Sequence, residues 1–186
     1  MLLTARYTDA LAYAADRHRS QFRKSTQIPY LSHLLAVSSL VMEYGGDEDE
    51  AIAGLLHDVI EDVGSEEAPE IERRFGARVL EIVRGCTDAD TFPKPPWRER
   101  KERYLARLEG ASVSIRLVSC SDKLHNARAI LTDLDRIGPS VFERFTAGRE
   151  GTLWYYRSLA DAFLRLQTPP ARWLAKTVAG IEAFPK

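Results

Sequence analysis

The sequence predicts an all-α protein, on three observations. Apolar residues recur at intervals of three and four almost throughout, no stretch of strict alternation is bounded by hairpin turns, and glycines or capping residues stand where the periodic runs break. With 186 residues, 45% hydrophobic and 28% charged, the chain has the size and balance of one globular domain over 1–186. The expected form is a single bundle of about eight to ten helices.

The elements follow in order. A first helix covers roughly residues 4–20, and a polar loop runs from Arg23 to Pro29. A second helix starts near Tyr30, turns Leu34, Leu35, Val37, Leu40, Val41 and Tyr44 inward, and stops at Gly45-Gly46. Asp47 caps a third, over 48–63, with Glu50 as its capping-box partner. Gly76 separates shorter helices at 67–75 and 77–87; the three prolines between Asp88 and Pro96 mark an exposed loop. Helices return at about 97–109, 112–134, 148–167 and 170–183, the last within a C-terminal segment, 168–186. Cys86 and Cys120 are isolated, with no C-x-x-C, and read as small core residues.

Composition excludes some functions. At a net charge of −1 there is no global positive field to attract nucleic acid or a membrane surface, so any anion site must be built locally. The first residues lack the pattern of a signal peptide, and no run approaches the roughly 20 apolar residues of a membrane span. The expectation is a soluble, cytoplasmic protein that acts on a small molecule; its oligomeric state is left open.

Chemistry concentrates in 48–63. At about 100° per residue, Ile52, Leu55, Leu56, Val59, Ile60 and Val63 share one arc, and His57, Asp58, Glu61 and Asp62 fall opposite. That polar face could be no more than a solvated one, with His57 and Glu61 a surface pair. Two other segments favour a site. His33 follows Arg23-Lys24 and Pro29-Tyr30, and Asp122 stands in Ser121-Asp122-Lys123-Leu124-His125-Asn126. Imidazoles from His33 and His57 with carboxylates from Asp58 and Asp122 make a mixed nitrogen and oxygen set suited to one divalent ion such as Mn²⁺. The ligands are expected to line an exposed cleft.

Four ordered blocks carry a family resemblance: Arg23-Lys24 through Pro29-Tyr30 to His33, H-D-V-I-E-D-V from His57, F-G-A-R-V from Phe75, and S-D-K-L-H-N-A-R from Ser121. The set resembles the HD-domain metal phosphohydrolases, and more narrowly the hydrolase domain of the RelA/SpoT alarmone enzymes, over about residues 5–165. Since the chain stops at Lys186, it is most similar to the stand-alone small alarmone hydrolases, the group that includes the metazoan SpoT homologue. The resemblance implies Mn²⁺-dependent removal of the 3′-pyrophosphate from guanosine tetra- and pentaphosphate. Glu61 and Asp62, one turn beyond the ligand pair, are the candidates for orienting the attacking water or moving its proton.

Arg23 and Lys24 are expected to hold phosphate oxygens, with the guanidinium also able to stack on a base. The same resemblance points to Asn126 and Tyr156 at the nucleoside; the charge run from the proline loop offers Lys94 and Lys101 as a basic lip over the pyrophosphate, His125 reads as structural, and His18 has no matching partner. Ser119-Cys120-Ser121 stands where the family tends to carry a lysine, so a positive side chain near the site is expected to be missing. An adenosine alarmone, NADPH or another nucleotide therefore stays open as the substrate, as does a non-catalytic nucleotide sensor.

Overall fold

The computed structural model describes residues 2–88, 93 and 95–185, and the described residues are helical with no strand beyond one isolated bridge, Phe22 with Pro29. Ten α-helices follow in order: α1 Ala5–Arg17, α2 Leu31–Glu43, α3 Glu48–Leu56, α4 Val59–Asp62, α5 Ala68–Phe75, α6 Ala77–Cys86, α7 Trp97–Leu108, α8 Val113–Ile137, α9 Gly148–Arg165 and α10 Ala171–Ala183. Two 3₁₀ segments, Ser65–Glu67 and Gly138–Arg144, complete the described elements. The last was not expected, because Pro139 and Gly138 break the periodicity that ends α8.

Local chemistry sets the boundaries. Asp47 accepts from the Glu50 N–H while the Glu50 side chain accepts from the Asp47 N–H, so the expected capping box opens α3. Gly45 at φ +84° lets the chain leave α2, and Gly76 at φ +95° separates α5 from α6. Thr4 and Ser112 cap α1 and α8. The loop after α1 is more ordered than a polar stretch suggests. It closes as a small hairpin, Arg23 N–H to the Ile28 carbonyl at 2.8 Å and Tyr30 N–H to the Gln21 carbonyl at 2.9 Å, and Ser25 takes the left-handed backbone at φ +58°.

Two hydrophobic clusters form the core. The first joins α1, α2, α3, α5 and α6, with Ile52, Ile71, Phe75 and Val79 at its centre; the second joins α7, α9 and α10 around Tyr104, Leu159, Phe163 and Leu174. Each such side chain contributes about 1.5–3 kcal/mol by leaving water. The 25-residue α8, about 38 Å long, serves both: Leu117 and Val118 pack in the first, and Cys120, Leu124, Ala127, Ile130 and Leu134 in the second. Cys86 and Cys120 are buried free thiols, as expected. Leu35 is not inward; it is 41% exposed, because Leu34 and Val37 already take the core side of that turn.

One helix was expected over 48–63, and the structure breaks it. α3 ends at Leu56 and α4 begins at Val59, with Asp58 at φ −100°, ψ −4°. That sparsely populated conformation turns two adjacent side chains toward one point. The simple division into core and polar faces fails with it, since His57 is buried as deeply as its apolar neighbours.

α2 and α3 approach closely at Gly54, where a methyl group would sit 3.0 Å from the Ser38 Cα; Ser38 Oγ bonds the Ala51 carbonyl there at 2.8 Å. The obstacle is backbone and cannot swing away. Gly54→Val is expected to destabilise the fold by about 2 kcal/mol or more, read as a lower urea midpoint; an unchanged midpoint would show that the two helices can separate without cost.

Candidate metal centre and adjoining cavity

The seam between the two clusters holds the chemistry. α2 carries His33, the α3–α4 break carries His57 and Asp58, and α8 carries Asp122. His33 Nε2 lies 3.2 Å from Asp122 Oδ1 and 3.6 Å from Asp58 Oδ2; His57 Nε2 lies 3.0 Å from Asp58 Oδ2 and 3.7 Å from Asp122 Oδ1. The four residues expected as ligands do come together. They are not in an exposed cleft, however: both histidines and Asp122 are buried.

Hydrogen bonds orient both rings with Nε2 inward. His57 Nδ1–H donates to the Gly54 carbonyl at 2.9 Å. His33 Nδ1 lies 2.8 Å from His125 Nδ1, so one must donate. Burial, followed by the charges of His33 and Arg23, lowers the His125 pKa to about 4, which keeps that ring neutral and able to accept. With His33 as the donor of that bond, its Nε2, like that of His57, is a lone pair with no hydrogen-bond partner. Ligand atoms of His33, His57 and Asp58 lie within 4.8 Å of one another. Two buried imidazole lone pairs beside two carboxylates fit a divalent ion, and His125 takes the structural role expected of it.

Further partners hold the carboxylates. Tyr30 Oη–H donates to Asp58 Oδ2 at 2.5 Å, and Asn126 Nδ2 donates to Asp122 Oδ1 at 2.5 Å. Lys123 Nζ pairs with Asp122 Oδ2 at 2.6 Å. The positive side chain expected to be missing around 119–121 is thus supplied two residues on, while Ser119 instead bonds the buried Tyr104 hydroxyl. Glu61 accepts from the Asp88 N–H at 3.2 Å, and Asp62 accepts from Gln21 Nε2 at 2.8 Å. Crowding by protein and then the Asp58 charge raise the Asp62 pKa.

A cavity of about 570 Å³ opens beside the cluster, within the usual size for a small-molecule site. Tyr30, His125 and Asn126 line it on the side of the cluster, and Arg23, Lys24 and Tyr156 also stand in its wall. Arg23 donates to Asn126 Oδ1 at 2.9 Å. Arg128, Arg136 and Arg144 add charge that the sequence reading missed, although the spacing of Arg128, Thr132 and Arg136 places them on one face of α8. Lys101 lies elsewhere, bound at 2.7 Å to Asp88, whose carboxylate also pairs with Arg100. Asp88 is therefore largely buried at the root of a loop expected to be exposed. Lys94 lies outside the described residues. No helix among them is long and apolar enough to cross a membrane.

Burial lowers the His57 pKa, but Asp58 and Asp122 outweigh it and raise the value well above the ordinary range, so a proton competes with the ion for the Nε2 lone pair. An incoming ion must displace that proton, and affinity is expected to rise with pH, about tenfold per unit for one proton released. Titrations in two buffers of different ionisation enthalpy should report the release; a pH-independent Kd with no proton exchange would place the ion elsewhere.

Comparison with known proteins agrees with this geometry. A family model for the HD domain matches residues 10–153. The guanosine-3′,5′-bis(diphosphate) 3′-pyrophosphohydrolase MESH1 of Xenopus tropicalis is 38% identical over 134 residues, covering 70% of each chain, and the human protein of that name is 36% identical over 138 residues, covering 73% of each. A solved structure of a metazoan SpoT orthologue described as hydrolysing ppGpp superposes with a TM-score of 0.80 at 27% identity, over 96% of this chain and 97% of that one. The chain belongs to the HD-domain family, alongside the MESH1 proteins.

Proposed function

We propose that the protein is a metal-dependent hydrolase that removes the 3′-pyrophosphate of guanosine tetra- and pentaphosphate, leaving GDP or GTP. The observation that carries the reading is the pair of buried, unpartnered Nε2 atoms of His33 and His57, converging with Asp58 and Asp122 next to a cationic cavity lined by their hydrogen-bond partners Tyr30, His125 and Asn126. The activity named for the MESH1 relatives supports it. We take residues 1–186 as one such unit, acting on a small nucleotide in the cytoplasm rather than on nucleic acid or a membrane, and Mn²⁺ as the ion, for which the mixed donor set is suited.

When bound, the ion would polarise a phosphate oxygen and lower the pKa of a water molecule. The chain supplies the remainder. His33, His57, Asp58 and Asp122 hold the ion, with Tyr30, His125 and the Gly54 carbonyl keeping three of those ligands in orientation. Glu61 and Asp62 lie one turn past Asp58, where a carboxylate can orient the attacking water or take its proton. Arg23 and Lys24 meet the nucleotide from the hairpin side and Tyr156 from α9, with Asn126 linking Arg23 to Asp122. Lys101, held by Asp88 close to Lys123 and Glu61, is the candidate for contact with the departing pyrophosphate, and Lys94 keeps that role from the sequence alone.

The direct test incubates Mn²⁺-loaded protein with ppGpp, pppGpp, their adenosine counterparts, NADPH and dNTPs, following pyrophosphate against phosphate release. Pyrophosphate from the guanosine compounds is expected; its absence would overturn the reading. Glu61→Gln should retain Mn²⁺ yet lower kcat roughly a hundredfold, and an unchanged kcat would remove Glu61 from the chemistry. Arg23→Lys keeps the charge but loses the planar fork that reaches Asn126, so KM for ppGpp should rise about tenfold or more. Wild-type behaviour there would reduce Arg23 to part of a general positive field.

A further inference from the structure

We propose that His18, acting through Gln21, is a positioning device for Asp62: the imidazole anchors the Gln21 amide with its NH₂ toward Asp62, and so holds that carboxylate in its orientation beside the metal ligands. The proposal rests on the pyrophosphohydrolase reading, in which Asp62 is one of the two groups able to handle a proton.

The geometry is a short relay behind the site. His18 ends α1 and is 2% exposed; the Gln21 N–H bonds back to the His18 carbonyl at 3.0 Å, which brings both side chains onto one turn. Gln21 Nε2 lies 2.8 Å from Asp62 Oδ2, and Gln21 Oε1 lies 2.5 Å from His18 Nδ1. An ionised carboxylate can only accept, so the amide must turn its NH₂ to Asp62. The amide carbonyl then faces His18, and the proton of that ring must sit on Nδ1. His18 Nε2 is buried with no partner, so the nitrogen with a hydrogen-bond acceptor for its proton is Nδ1. Reversing the amide would set two acceptors against each other at Asp62 and two donors at His18. The Asp62 carboxylate and the His18 proton thus specify the same arrangement from its two ends.

The same ring braces the metal side. His18 stacks on Tyr30 with centroids 5.4 Å apart and planes at 28°, and the Tyr30 hydroxyl donates to Asp58. Asp62 needs such support. It closes the four-residue α4 at the solvent edge, where a carboxylate without a fixed partner would sample several rotamers.

Two readouts test the proposal. In the full chain, kept free of paramagnetic Mn²⁺, long-range ¹H–¹⁵N spectra of the histidine rings should show His18 as the Nδ1–H tautomer, with that signal moving in Gln21→Met. An Nε2–H tautomer would overturn the relay. In the Mn²⁺-loaded chain, His18→Phe keeps a ring to stack on Tyr30 but removes the donor, so kcat for ppGpp should fall roughly ten- to hundredfold. KM and Mn²⁺ stoichiometry should stay within about twofold. His18→Asn places an amide nitrogen where Nδ1 was and should recover most of the loss. In an Asp62→Asn background His18→Phe should add nothing, whereas an equal further loss would show that His18 does not act through Asp62. A wild-type chain that leaves ppGpp intact would instead overturn the pyrophosphohydrolase reading, and the ring spectrum would still decide the relay.

Discussion

The structure depends on keeping two imidazole lone pairs dry and pointed at the same place. A buried acceptor without a donor is costly, and the cost is tolerated here because each ring is tied at its far nitrogen, His57 to a backbone carbonyl and His33 to another histidine. Several departures from ordinary helix behaviour serve that arrangement. The third helix is interrupted at the residues that carry the ligands, and Asp58 sits in an uncommon backbone conformation. α8 buries an aspartate and a lysine side by side, a pair that would favour water elsewhere.

The helices were largely legible because their boundaries are written in local chemistry. Asp47 with Glu50, and the glycines at 45 and 76, set the end of α2, the start of α3 and the boundary between α5 and α6 within a residue or two of the expected places. The break after Leu56 was not legible, since His57 and Asp58 continue an uninterrupted helical spacing. It results from tertiary demand: two neighbouring side chains must reach one point, and a regular helix sends them about 100° apart. The 3₁₀ segment after α8 was missed for the opposite reason, its proline and glycine reading simply as loop.

For the site, the motif residues were visible and their supports were not. His33, His57, Asp58 and Asp122 stand in recognisable blocks, whereas Gln21 and His18 are ordinary residues whose importance comes from a tight turn and a distant carboxylate. Tyr30 stands in a recognisable block too, but its role comes from a hydroxyl that reaches Asp58 across the fold. Burial was misjudged too, because a polar run on a helix reads as a wet face unless one knows what packs against it. Arg128, Arg136 and Arg144 escaped notice since arginines scattered along a long helix and the turn after it look like solvated charge until the cavity gathers them.

The long α8 has a consequence for how the molecule comes apart. Because it belongs to both hydrophobic clusters, and Asp122 sits near the point where one passes into the other, neither half can loosen without pulling a ligand from the cluster. An ion held there acts as a rivet between the halves. Its binding free energy adds to the stability of both together, about 2.7 kcal/mol at a hundredfold excess over its Kd. Metal supply would then govern the lifetime of the folded chain as well as its turnover, so that starvation for the ion leaves a protein that is both idle and easier to degrade.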